Sequence, residues 1–197
     1  RACRGRSGGC ESCNNTGLQY LESVQDLIGE PIRLSLAAED TSFHGMGRED
    51  IDVRCLGQGR PFVIEIKKPG TRMVDLEEIQ NIVNQNAKGK VEINSLRWSN
   101  RSEVVKVKES RSEKSYTIRF RVEDIPEQET VIELISTLSG VTLAQETPQR
   151  VSHRRAAKTR KRQVIQLSDI VVEGDEVQFF VRCEAGTYVK ELVHSDE

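Results

Sequence analysis

VIQLSDIVVEGDEVQFFVRC, residues 164–183, divides at a Glu-Gly-Asp turn signal into two runs rich in β-branched and aromatic residues. Val164 to Val172 and Glu176 to Cys183 are therefore expected to be neighbouring antiparallel strands, because so short a connection cannot make a parallel crossover. Working outward, SYTIRFRV at 115–122 alternates as a third strand, and Thr130 to Leu138 has the spacing of an amphipathic helix. Val91 to Trp98 alternates like a strand, and PFVIEIK at 61–67 reads as a buried one. VDLEEIQNIVNQNAKG, 74–89, places apolar residues at 74, 76, 79, 82 and 83 ahead of a glycine stop, the pattern of an amphipathic helix. Ser23 caps a short helix that Gly29 and Pro31 are expected to interrupt, with one or two further helical turns between Ile32 and Ala38. Helical spacing returns at Thr187 to Val193, after Gly186. Helices interspersed with hairpin-linked strands predict an α+β protein with a mixed, mainly antiparallel sheet flanked by helices.

The chain has 197 residues, 36% hydrophobic and 30% charged, enough for one sizeable core or a core with a small appended module. No apolar run approaches the roughly 18 residues of a membrane span, and the N-terminus is basic and glycine-rich where a signal peptide needs an apolar region. A cytoplasmic protein with no membrane partner is expected. The net charge of −2 hides strong clustering. RVSHRRAAKTRKR, 150–162, holds seven Lys or Arg and no acid, and contains too little apolar surface for a core, so it reads as an exposed loop or helix.

Three of the five cysteines, Cys3, Cys10 and Cys13, lie in RACRGRSGGCESCNNTG, residues 1–17, a segment that hydrophobic burial cannot order. An odd cysteine count argues against a disulfide framework. The C-x-x-C spacing of Cys10 and Cys13 suits two thiolates on one tetrahedral zinc, with Cys3 as a third ligand. A pair matching Cys3 would begin just ahead of Arg1, so the chain is read as starting inside a four-cysteine site. Occupancy by zinc is expected to be low with three ligands, and a tail of reduced cysteines is the simpler alternative.

FHGMGREDIDVR, residues 43–54, sets charges beside two glycines. In an extended segment Arg48, Asp50 and Asp52 share one face while Ile51 and Val53 turn to the core. On residue types alone, a surface ion-pair cluster is the simpler reading. A cation site from His44, Asp50 and Asp52 is opposed by Arg48 and Arg54, and none of His44, His153 and His194 has the context of a catalytic triad.

The same stretch resembles the active-site motif of pseudouridine synthases, a Gly-Arg-x-Asp segment. GREDIDVR followed by GRPFVIEIKKP resembles specifically the archaeal and eukaryotic branch that carries an N-terminal zinc and THUMP RNA-binding region. KSYTIRF resembles the family's strand with an active-site tyrosine, TPQRVSHRRAAKTRKR the branch's basic segment, and CEAGTYVKELVHSD the family's final motif. Four motifs in order across residues 43–196 are more specific than any one. Relatives often carry an acid after HRRA, where this chain has Ala157.

The resemblance implies that residues 1–17 are the remnant of a zinc knuckle and 18–197 a catalytic domain that stops short of its relatives' ends. It implies isomerisation of uridine to pseudouridine in tRNA, at positions 54 and/or 55 of the TΨC arm, with no cofactor for catalysis. Asp50 aligns with the catalytic aspartate, Tyr116 with the tyrosine that stacks on the base, and Lys190 with the basic residue paired to the carboxylate. Leu192 falls where the family packs an apolar side chain, and Arg48 where it opens the RNA and holds the flipped nucleotide. His153, Arg154 and Arg155 are implied to contact RNA. The alternatives are a non-catalytic RNA-binding module and a zinc-dependent interaction domain.

Overall fold

A computed structural model describes residues 9–17, 22–47, 49, 52–123, 127–152 and 155–194. The chain divides into two compact units, Arg1–Ser110 and Arg111–Glu197. Together they give an α+β protein whose strand pairings, among the described residues, are all antiparallel.

In the first unit, helix α1 spans Val24–Ser35 and starts where the Ser23 side chain accepts a hydrogen bond from the Asp26 amide. The helix runs without a break through Gly29 and Pro31, contrary to the expected interruption. Proline removes one donor and crowds the preceding turn. Burial of Ile28 and Ile32 on one face of α1 offsets that cost, and Gly29 lies so close to the next strand that a Cβ would stand 2.5 Å from Thr41 Oγ1.

Strands β1 (Asp40–Gly45) and β2 (Phe62–Lys67) pair antiparallel from Asp40↔Lys67 to Gly45↔Phe62. β2 is half-buried rather than the fully buried strand expected: its Glu65 and Lys67 are exposed, and among the described residues it pairs with β1 alone. Helix α2 (Leu76–Asn86) is capped by Asp75, which accepts from the Glu77 and Glu78 amides, and helix α3 (Arg101–Glu109) by Asn100. The core collects Ile28, Ile32, Leu36, Ile79, Val83 and Ile93, with Phe43 and Phe62 stacked at 5.2 Å beside it.

Residues 91–98 do not form the expected strand. The Asn84 amide on α2 takes both main-chain groups of Ile93, donating to its carbonyl at 2.9 Å and accepting from its N–H at 2.8 Å. A side chain thus satisfies the backbone that a partner strand would otherwise serve.

In the second unit, β3 (Lys114–Arg121), helix α4 (Gln128–Ser136), β4 (Thr142–Gln145), β5 (Arg160–Glu173) and β6 (Glu176–Cys183) follow in turn. The sheet order is β3-β6-β5-β4. The 164–183 hairpin sits at its centre, with Gly174 supplying a left-handed φ of 59° in the turn. β5 slips register twice against β6, and Asp169 at the second slip has a φ of 53°. Val177, Phe179 and Val181 of β6 bury one face together with Ile135, Val164 and Val172.

The basic run is not wholly loop or helix. Its last three residues, Arg160, Lys161 and Arg162, open β5 and pair with Gln145, Ala144 and Leu143 of β4, a short strand for which pattern gave no signal. Among the described residues, no helix is long and apolar enough to cross a membrane.

Candidate active site

The Gly-Arg-Glu-Asp motif lies in the connection between β1 and β2 of the first unit. Hairpin strands set the ends of this connection side by side, and hydrogen bonds close its neck: the Met46 N–H donates to the Pro61 carbonyl at 3.0 Å, and Arg60 Nη1 to the Met46 carbonyl at 3.3 Å. Arg60 also pairs with Glu49 at 2.5 Å, both side chains being largely buried. The middle acid of the motif is therefore used inside the loop. Arg48, Asp50 and Ile51 lie outside the described residues, and Asp52 is exposed in a turn. His44 stands 3.6 Å from Glu65, and no cluster of three or more metal-ligating side chains occurs among the described residues.

The remaining residues implied to contact the substrate belong to the second unit. Tyr116 lies on β3 directly opposite Val181 of β6, so it faces the core, half-buried, as the alternation of the strand requires. Lys190 and Leu192 fall on a 3₁₀ turn, Val189–Leu192, shorter than the helical segment suggested by spacing. Leu192 packs against the same buried cluster as Tyr116, while Lys190 is exposed.

The approach to this turn is heavily tied. Glu184 and Gln163 exchange bonds, the Glu184 N–H to the Gln163 carbonyl at 3.1 Å and the Gln163 N–H to the Glu184 carboxylate at 2.8 Å. Thr187 Oγ1 donates to the Glu184 carbonyl at 2.9 Å. Gly186 has a φ of 85°, and a Cβ there would meet Arg162 Nε at 3.3 Å, so glycine answers both the backbone and the close guanidinium. The buried Gln145 amide on β4 bonds the Tyr188 main chain on both sides, and Arg150 forms an ion pair with Glu191. None of these supports was anticipated from sequence. Their only signal was local: polar residues bracketing the basic segment.

The basic segment is partly committed to the protein itself. Besides Arg150, Arg160 donates to Thr147 Oγ1 at 2.7 Å and to the carbonyls of Lys158 and Ala156, and Arg162 Nη1 donates to the Lys161 carbonyl. Arg155, Lys158 and Lys161 are exposed, and His153 and Arg154 lie outside the described residues. A charge count of the run thus overstates the cations presented to a ligand.

At the N-terminal end, Cys10 and Cys13 flank a 3₁₀ turn with their sulfurs 3.8 Å apart. Two thiolates at about 2.3 Å from one tetrahedral zinc would be separated by about 3.8 Å, so the pair fits that ion. The Cys13 sulfur accepts from the Cys10 and Gly17 amides and donates to the Cys10 carbonyl, each at 3.2 Å. Cys3 lies outside the described residues.

A family model described as "Pus10, C-terminal" matches residues 7–197, across both units. The chain belongs to this family. It is 45% identical over 196 residues to the tRNA pseudouridine synthase Pus10 of Methanothrix thermoacetophila, covering 100% of this chain and 43% of that protein. To the protein of the same name from Methanocaldococcus jannaschii it is 40% identical over 197 residues, covering 100% and 42%. The chain spans about half the length of the curated relatives it matches. Among solved structures, a Cbf5-Nop10-Gar1 complex is similar over 43% of this chain and 25% of that one, at 30% identity and a TM-score of 0.36.

Proposed function

We propose that this chain is the catalytic part of a tRNA pseudouridine synthase acting at uridine 54 and/or 55 of the TΨC arm. The observation that carries the reading is similarity over the whole of this chain to proteins named tRNA pseudouridine synthase, with the four motifs in order; the T-arm positions come from the resemblance of those motifs.

The reaction breaks the bond from uracil N1 to ribose C1′, turns the base, and rejoins it through C5, with the C5 proton lost and N1 protonated. Atoms balance without an outside reactant or cofactor. Asp50, by its place in the Gly-Arg-Glu-Asp motif, is the carboxylate that acts on the ribose, and Lys190, by its place in the final motif, is the basic residue of the reaction. The uridine must leave its stack to be reached. Tyr116 then offers an aromatic face, Leu192 an apolar wall, and Arg48 a cation for the displaced strand. Arg155, with His153 and Arg154, contacts phosphates, which makes tRNA affinity fall with salt. Cys10 and Cys13, joined by Cys3, are the thiolates that would hold a structural zinc, at low occupancy with three ligands and with no part in the chemistry.

Unmodified tRNA transcripts incubated with this chain and with Asp50→Ala, followed by chemical mapping of pseudouridine, test the assignment. Product in the T arm from the parent alone is expected. Salt-sensitive binding without product from either would instead support an RNA-binding module. Zinc bound in stoichiometric amount by a version extended N-terminally, and absent after Cys10→Ser, is the expected result for the metal; its absence from the extended parent removes that site.

A further inference from the structure

The 3₁₀ turn that carries Lys190 is one of the least self-supporting pieces of the second unit. Four residues form it, and no side chain of its own caps it. Its geometry is set from outside, by residues 145–163. Gln145 is 8% exposed and spends its whole amide on one neighbour, Nε2 donating to the Tyr188 carbonyl at 3.1 Å and Oε1 accepting from the Tyr188 N–H at 2.9 Å. This reproduces, with a side chain, the paired bonds of a sheet rung. Three residues after Tyr188, Glu191 is only 12% exposed in its side chain and pairs with Arg150. Lys190 lies between the two anchored positions and is itself exposed.

An amide and an ion pair are poor choices if stability alone is wanted, since well-packed apolar side chains would serve as well without the desolvation of charge. They differ from apolar packing in direction. Bonds to both the N–H and the C=O of Tyr188 fix the two peptide planes that flank its Cα, and a pair to Glu191 defines the next half-turn, which together fix where the Lys190 stem departs. We propose that Gln145 and the Arg150–Glu191 pair are positioning residues for Lys190, acting on turnover through its placement without touching the substrate. This inference rests on the pseudouridine synthase reading given above. It also gives the strand β4 and the start of the basic segment a task distinct from phosphate contact.

A double-mutant cycle in this protein tests this by single-turnover kinetics on a tRNA transcript, alongside tRNA affinity. Gln145→Leu is expected to lower the single-turnover rate by about tenfold or more, with affinity held within about twofold. In a Lys190→Ala background the same substitution is expected to cost less than about threefold, because the group it positions is gone. Arg150→Met should repeat the pattern, and the exchange Arg150→Glu with Glu191→Arg should recover much of the loss. Gln145→Glu keeps the acceptor for the Tyr188 N–H and should fall between parent and Gln145→Leu, which provides a milder variant if leucine impairs folding. Hydrogen exchange at the Tyr188 amide, faster in Gln145→Leu, reads the clamp independently of activity.

Parental rates in Gln145→Leu overturn the proposal, as do equal losses in both backgrounds or a loss confined to affinity. A parent that makes no pseudouridine, with the Tyr188 amide still responding to Gln145→Leu, overturns the functional reading and the positioning role with it. An active parent indifferent to Gln145 overturns the positioning role alone.

Discussion

Gly29 shows how a single position can reverse an ordinary expectation. In an open helix, exchanging glycine for alanine stabilises by about 1 kcal/mol. Here the added Cβ would meet Thr41 Oγ1 at 2.5 Å, with Thr41 itself buried. Gly29→Ala is therefore expected to lower the denaturant midpoint, and the loss should shrink or reverse in a Thr41→Ala background, where the obstructing oxygen is absent. Gly186 is constrained in another way. Its φ of 85° is unfavourable for any residue with a Cβ, so Gly186→Ala should destabilise the second unit by about 1–2 kcal/mol, measured by chemical unfolding. The sequence marked Gly186 as the start of a motif. It could not show that Arg162, 24 positions earlier, occupies the space beside it, because β5 and the 184–188 segment meet only in the folded sheet.

At the scale of elements, those carried by strong local signals were legible. Ser23 starts α1, Asp75 starts α2, and the Glu-Gly-Asp turn joins β5 to β6. Two expectations gave way to tertiary context: Pro31 is accommodated inside α1, and residues 91–98 alternate without pairing. The second case makes a direct prediction. Asn84→Ala would leave both main-chain groups of Ile93 without their partner beside a residue only 3% exposed, and should cost about 2 kcal/mol in urea unfolding. Helix α3 offers a pH-dependent counterpart. Glu103 in its first turn receives a bidentate Arg97 at 2.7 and 2.9 Å and the Ser99 hydroxyl at 2.6 Å. These bonds, Arg97 first, lower its carboxyl from the usual 4.5 to about 2. A carboxyl lowered on folding stabilises above its unfolded value and loses that contribution as pH falls through the folded one. The stability difference between the parent and Glu103→Gln should therefore be full above about pH 4.5 and vanish towards about pH 2, as thermal melting across that range would reveal.

For the whole molecule, each unit has a buried cluster of its own, Ile28 to Ile93 in the first and Ile135 to Val181 in the second. Expressed separately, Arg1–Ser110 and Arg111–Glu197 should each unfold cooperatively in a thermal melt followed by circular dichroism. Local chemistry in the sequence determined the α+β class, the central hairpin, the helix starts and the motifs that identify the family, because turn residues, caps and alternation act over a few residues. The site was legible only as far as its residues fall within such motifs. Tertiary structure alone decided that Glu49 is bound by Arg60, that half of the described cations of the basic run serve the protein, and that Gln145 and Arg150 hold the turn bearing Lys190. Gln145 and Tyr188 stand 43 positions apart and Arg150 and Glu191 41, and a hydrogen bond or ion pair across that distance leaves no periodicity in a single chain; only the fold that brings the partners together selects them.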